Sequence, residues 1–205
     1  MPNGSSPPPT RRDSNFSSHR EAEDGHHYVH ERRGIVVDIS HDFLSDHSSF
    51  KKEFPVYYVL GVEHFTLLEI FLRKPILGTV VGDLVELETH KDEFQRVRRI
   101  NFDLLPKGAE YALEEMLTKL IREQSERFVK FFNEAKPVTV KLHQLTLLPG
   151  VGQKRMWTVL DARKAKPFDS YSDIEARAGL DPVAVVVKRI LNELSGKERH
   201  NLFVR

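Results

Sequence analysis

Leu147-Leu148-Pro149-Gly150-Val151-Gly152 has the composition of a tight turn between two helices. Leucines lead into a proline, and two glycines then flank a single valine. A sharp reversal needs residues that tolerate positive φ, and close approach of an anion to the backbone needs an absent side chain. Val151 is spaced to plug the turn into a core. On this reading one helix spans 139–147 and a second spans 153–163, beginning at the turn. The first amides of a helix have no partner within it and lie at the positive end of its dipole, so the turn offers a seat for a phosphate. Lys154 and Arg155 fall in that first turn. The dipole disfavours cations there, and a bound anion accounts for their presence.

Local charge agrees. Residues 140–166 hold Lys141, Lys154, Arg155, Arg163, Lys164 and Lys166 against Asp161 alone, while the 205-residue chain has a formal charge of only +1. Bulk charge therefore announces no nucleic-acid partner, and any basic footprint is confined to this region. The plain alternative is a solvated basic helix face. Gly150, Val151, Gly152, Gln153, Lys154, Arg155 and Lys141 are the candidate phosphate-binding residues. His143 is placed either to reach a phosphate or to pack as a satisfied histidine. Trp157, the sole tryptophan, is expected in the core rather than in a stacking role.

A second turn follows. Ser170 with Asp173 forms an N-terminal capping arrangement for a helix ending at 178. In Gly179-Leu180-Asp181-Pro182, Asp181 is the N-cap and Pro182 the first helical residue of a helix over 183–194. This copy lacks the second glycine and puts an acid where a phosphate would sit, so its role is structural.

Upstream, apolar residues recur at helical spacing over 109–136, with a break expected near Ser125 and a stop before Pro137. Strand patterns occupy 35–39, 56–62, 64–72, 83–88 and 95–102. Thr66, Leu68, Ile70 and Leu72 should face a core, opposite to Phe65, Leu67, Glu69 and Phe71. Five short strands in so little chain suggest a small OB-like barrel; an SH3-like barrel fits the same pattern. Such barrels hold single strands on exposed aromatics. Tyr57, Phe65 and Phe71, with Arg96, Arg98 and Arg99, are the candidate barrel-surface contacts, unless the aromatics pack under the helix.

Residues 1–33 read as a disordered tail, rich in Ser and Pro and poor in apolar side chains. Asp38, His41, Asp42, Asp46 and His47 cluster after the first strand pattern, and His26, His27 and His30 lie in the tail. Carboxylates and imidazoles bind divalent metals, but this spacing matches no metal motif, and neither metal nor cofactor is expected. The absence of cysteine excludes disulfides and thiolate metal sites. No apolar run reaches the length of a membrane span, and a cytoplasmic location is expected.

The run Leu142-His143-Gln144-Leu145, the glycine turn, Met156-Trp157 and Lys166-Pro167-Phe168 resembles the helix-hairpin-helix superfamily. With Phe65-Thr66-Leu67-Leu68-Glu69 and Glu126-Arg127-Phe128-Val129, the chain is most similar to the "domain of unknown function 655" family of archaea and bacteria, over about residues 34–205. That resemblance implies an OB-like domain followed by a double hairpin, RNA or nucleotide binding, and turn contacts from Gly150, Gly152, Gln153 and Lys154. It implies no reaction. The expected architecture is α+β: a tail (1–33), an OB-like β domain (34–103), a connecting amphipathic helix (104–136) and a tandem helix-hairpin-helix domain (137–205). The expected function is non-catalytic, sequence-nonspecific nucleic-acid binding, RNA favoured over DNA. The alternatives are a protein–protein interaction module and a metal-dependent phosphodiesterase using the acidic loop.

Overall fold

β-Branched and aromatic residues suit a pleated, half-buried surface, and here they form five antiparallel strands. These are β1 (Arg33–Phe43), β2 (Glu53–Gly61), β3 (Leu67–Leu72), β4 (Leu84–Glu86) and β5 (Phe94–Arg99). The computed structural model describes residues 31–43, 53–74 and 76–205, so the proposed tail before residue 31 lies outside the described residues. The strand order is β4-β1-β2-β3-β5.

No closed barrel forms. β4 and β5 are the two edges and do not pair with each other. β4 is only three residues long, pairs on one edge with Arg33, Gly34 and Ile35 of β1, and takes no strand on its other edge among the described residues. Val85 of β4 and Phe94 and Val97 of β5 nevertheless share an apolar cluster with Val36, Tyr57, Val59, Leu68, Ile70 and Leu72. Its other face packs under helices. Consequently β3 is buried at every position. Alternation sorts its residues between two cores rather than between core and water: Leu68, Ile70 and Leu72 join the small cluster, while Leu67 and Phe71 join the main one. Glu69 is tolerated inside because the Tyr58 hydroxyl donates to it at 3.2 Å and Arg98 pairs with it.

The β2–β3 connection is held from outside itself. The Glu31 carboxylate, 2% exposed, accepts the amides of Glu63 (2.8 Å), His64 (3.0 Å) and Thr66 (3.1 Å), and also the Thr66 hydroxyl. Within that turn Phe65 adopts φ +57°, a left-handed conformation that bulky residues rarely take. Its ring is fully buried, under the Arg127 guanidinium at 4.9 Å and beside Phe128.

The helical spacing over 109–136 becomes two helices, α1 (Lys107–Glu123) and α2 (Ser125–Glu134), separated at Gln124. α1 turns Ala109, Leu113, Leu117, Leu120 and Ile121 inward, against β1 and the last helix. Downstream, the helix expected over 139–147 is absent. A two-stranded ribbon of β6 (Pro137–Thr139) and β7 (Leu142–His143) leads into a single 3-10 turn, Gln144–Leu147. Val138, Thr139 and Val140 are β-branched and stiff at χ1, which favours extended backbone. The Thr139 hydroxyl also accepts the Lys141 amide at 3.3 Å, a local bond that competes with helix formation.

Three helices complete the fold: α3 (Gln153–Ala165), α4 (Tyr171–Ala178) and α5 (Pro182–Leu194). Their apolar faces belong to the same continuous core as the helix-facing side of the sheet. Arg189 of α5 is 1% exposed and ties distant parts together. It donates to Glu193 (2.7 Å), to the Leu147 carbonyl (2.7 Å) and to the His200 carbonyl, and pairs with Glu198 (2.7 Å). Glu193 in turn accepts the amides of Leu202, Phe203 and Val204 at 2.8–2.9 Å. The base of the glycine turn is thereby clamped to α5 and to the segment after it.

Candidate nucleic-acid interface

The glycine turn sits where a 3-10 turn gives way to α3. Gly150 has φ +77°, a conformation open to glycine but strained for other residues. Val151 is buried, as its spacing predicts, and its amide donates to the Leu148 carbonyl at 3.1 Å. Gly152 is the N-cap of α3, extended at φ −80° and ψ −179°. The first helical bond runs from the Met156 amide to the Gly152 carbonyl at 2.9 Å, leaving the amides before it without intrahelical partners. Among the described residues no side chain caps α3, and its first turn contains no acid. Gly152, Gln153, Lys154 and Arg155 are all exposed, and a Cβ added at Gly152 would meet nothing within 4 Å. The approach to these amides is open.

The basic residues divide. Lys154 is exposed with no ion pair among the described residues. Arg155 folds back, donating to the Gly150 carbonyl at 3.0 Å, which holds its guanidinium over the turn with other donors to spare. Lys141 is exposed on the β6–β7 turn, and no described contact joins it to the glycine turn. Arg163 is spent on structure. It donates to the carbonyls of Phe132 and Ala135, both at 2.9 Å, capping α2. Lys166 pairs with Asp169 at 2.6 Å, and that bond raises its pKa. The footprint thus contracts to Lys154, Arg155 and Lys164, with Lys141 apart.

His143 has the packing role. Its Nδ1 accepts the Leu145 amide at 3.1 Å, and its own amide donates to the Thr146 hydroxyl. Burial, and then the nearby Arg163 charge, hold its pKa below the ordinary 6.5. Trp157 departs from expectation: it is 57% exposed. The inward residues of α3 are Met156 and Val159, and position 157 lies on the opposite side of the 3.6-residue wheel. A wheel anchored on Val159 would have revealed this from sequence.

The barrel-surface aromatics are overturned. Tyr57, Phe65 and Phe71 are 4%, 0% and 4% exposed, because both faces of the sheet are covered. Arg96, Arg98 and Arg99 are exposed on the edge strand β5. Arg98 is engaged with Glu69, whose hydrogen bond raises its pKa, and lies 6.0 Å from the Phe71 ring. A basic edge remains, without the stacking surface.

Asp38 accepts the Ile39 amide at 2.9 Å and packs beside Gly108 at the start of α1. Among the described residues no three His, Asp or Glu side chains form a metal-binding group. Asp46, His47, His26, His27 and His30 lie outside the described residues, as do the side chains of His41 and Asp42.

The second turn follows its expected form and is filled. Gly179 ends α4 at φ +61°, Ser170 accepts the Asp173 amide at 3.1 Å, and Asp181 accepts the Ala184 amide at 3.0 Å with Pro182 in the first helical position.

A family model described as a protein of unknown function, DUF655, matches residues 30–205. The chain belongs to the DUF655 family. It is 37% identical over 168 residues to the uncharacterized protein MJ0038 of Methanocaldococcus jannaschii, spanning 80% of this chain and 77% of that one. The crystal structure of the DUF655 protein Af1531 from Archaeoglobus fulgidus aligns with a TM-score of 0.74 and 31% identity, covering 85% of this chain and 100% of the other. The α+β arrangement is therefore shared with a solved DUF655 structure. No helix among the described residues is long and apolar enough to cross a membrane.

Proposed function

We propose that this DUF655 protein is a non-catalytic, cytoplasmic nucleic-acid-binding protein that seats backbone phosphates on the amides of residues 152–155, its turn and α3 working as a helix-hairpin-helix module. The observation that carries this reading is the uncapped start of α3: exposed, free of acids, and flanked by Lys154 and Arg155. Phosphate contacts position a strand without reading its bases, so discrimination among sequences is small. RNA is favoured over DNA, on the family resemblance. The open five-stranded sheet is read as a partly open OB-like unit, contributing the exposed basic edge of β5.

Lys154→Glu with Arg155→Glu tests the reading by fluorescence anisotropy with a short labelled oligonucleotide. Affinity should fall more than about tenfold, and the slope of log affinity against log salt should drop by about 2, roughly one per phosphate contact. Because Arg155 also holds the Gly150 carbonyl, Lys154→Glu alone should show half of the change in slope, with thermal melts establishing that both variants fold. Unchanged affinity in the folded double variant defeats the assignment.

A second reading, a protein-interaction module, is favoured by one observation: Leu77, Val80, Val81 and Leu84 are all exposed in a single loop and the strand it enters. It predicts partners that survive nuclease treatment in a pull-down, whereas nucleic-acid-bridged partners are lost.

A further inference from the structure

Trp157 is 57% exposed on α3. Its neighbours on the exposed side of the helix are Gln153, Lys154, Thr158, Asp161 and Lys164, all polar. An aromatic that anchors a protein interface usually sits in an apolar, desolvated centre. The large exposed aliphatic residues among those described lie off α3: some in the sheet loop, as Leu77, Val80 and Val81, and others at Leu104 and on the β6–β7 ribbon, Val138 and Val140. What surrounds Trp157 is suited to one flat ring carried by a charged chain.

We propose that Trp157 stacks on an unpaired base of a single-stranded nucleic acid whose phosphate rests on the neighbouring amides at the start of α3. This rests on the phosphate reading above and narrows its ligand to single strands or unpaired segments. Helical side chains lean toward the helix N-terminus, so the indole covers the turn that carries Gln153 and Lys154. Four residues separate Trp157 from Gln153, about 6 Å along the axis at 1.5 Å per residue, within the reach between a phosphate and its own base. Every base offers a π face, so stacking needs no particular sequence. In a duplex those faces are already stacked on their neighbours, and only an unpaired base is free to take the indole. Charge sets the direction of the strand. Lys154 and Arg155 lie toward the turn, whereas Asp161 lies one helical turn beyond Trp157 and separates it from Lys164, so the nearest phosphate is drawn toward the glycines.

The sole tryptophan reports on its own site. The intact chain is titrated with oligouridylate and oligothymidylate of about eight nucleotides, inside the range of single-strand site sizes, and with a blunt duplex of mixed sequence. Both single strands should quench Trp157 emission as they bind. Trp157→Ala should weaken single-strand binding about tenfold, the typical loss of one base stack, and Trp157→Phe should restore most of it. Being exposed, the position should leave the melting temperature unmoved in both variants. Binding without a change in emission, an unaltered affinity in Trp157→Ala, or equal quenching by the duplex overturns the stacking assignment. If the Lys154→Glu and Arg155→Glu losses persist in those cases, the phosphate reading stands without it. If no oligonucleotide binds at all, both fall.

Discussion

The two glycine turns of the helical half reach the same shape by opposite chemistry. At residues 179–182 the chain fills its own anion position: the Asp181 carboxylate caps α5, and Pro182 removes one of the orphan donors. At residues 149–152 no side chain among the described residues does so. Gly152 has no side chain, α3 begins without an acid, and two cations stand beside the uncapped amides. A glycine N-cap costs a helix only about a few tenths of a kcal/mol relative to aspartate, so the first turn forgoes a small stabilisation that the second one takes. The difference teaches where to look for function. The filled version serves the fold, and the unfilled one is where the proposed phosphate contact is to be tested.

The most disruptive way to break the comparison is to cut the link between the halves. Arg189→Met leaves Glu193 buried beside unpaired carbonyls of Leu147 and His200, and losing one partner of a buried pair costs about 3–5 kcal/mol. Urea unfolding should show a loss of this size; a loss below about 1 kcal/mol would mean that α5 does not hold the base of the glycine turn. Next comes a direct exchange of chemistry. Gly152→Asp gives the first turn the cap of the second, so stability should hold or rise by a few tenths of a kcal/mol, while oligonucleotide affinity drops more than about tenfold. Undiminished affinity in this variant would show that the amides are not where the phosphate binds. The smallest effect concerns the approach to the turn. His143 caps the 3-10 segment through a neutral Nδ1, and its folded pKa lies below the ordinary 6.5. The cap therefore contributes its full stability above about pH 6.5 and loses it as pH falls through the folded value, because the unfolded chain binds the proton first. His143→Asn, a strong capping residue at any mildly acidic pH, should flatten this part of the pH profile of the melting temperature.

The strands, the break at Gln124 and the caps at Ser170 and Asp181 were legible because each depends on local chemistry: β-branched runs, a lapse in helical spacing, an oxygen placed before a helix. The misread elements depend on what lies across from them. Tyr57, Phe65 and Phe71 resemble a stacking surface only if one face of the sheet meets water, and all three are buried in the two apolar clusters on its faces. Arg163 adds to a basic footprint in sequence, but the carbonyls at the end of α2 consume it. The expected helix over 139–147 is different, since Val138, Thr139 and Val140 carry a local signal for extended backbone that opposes the helical pattern around the glycines. Of the candidate site, Gly150 through Arg155 stay together, whereas Lys141 and the barrel-surface set do not join them.

The turn between β2 and β3 joins strands that are neighbours in sequence, yet it is completed by Glu31, 32 residues before Glu63. Phe65 stays in its left-handed conformation inside a ring of amides that Glu31 gathers. A hairpin that would otherwise close within microseconds must wait for a long loop to close. The sheet should accordingly assemble in one cooperative step, with β1 docking and β2–β3 closure falling together, instead of growing outward from a preformed hairpin.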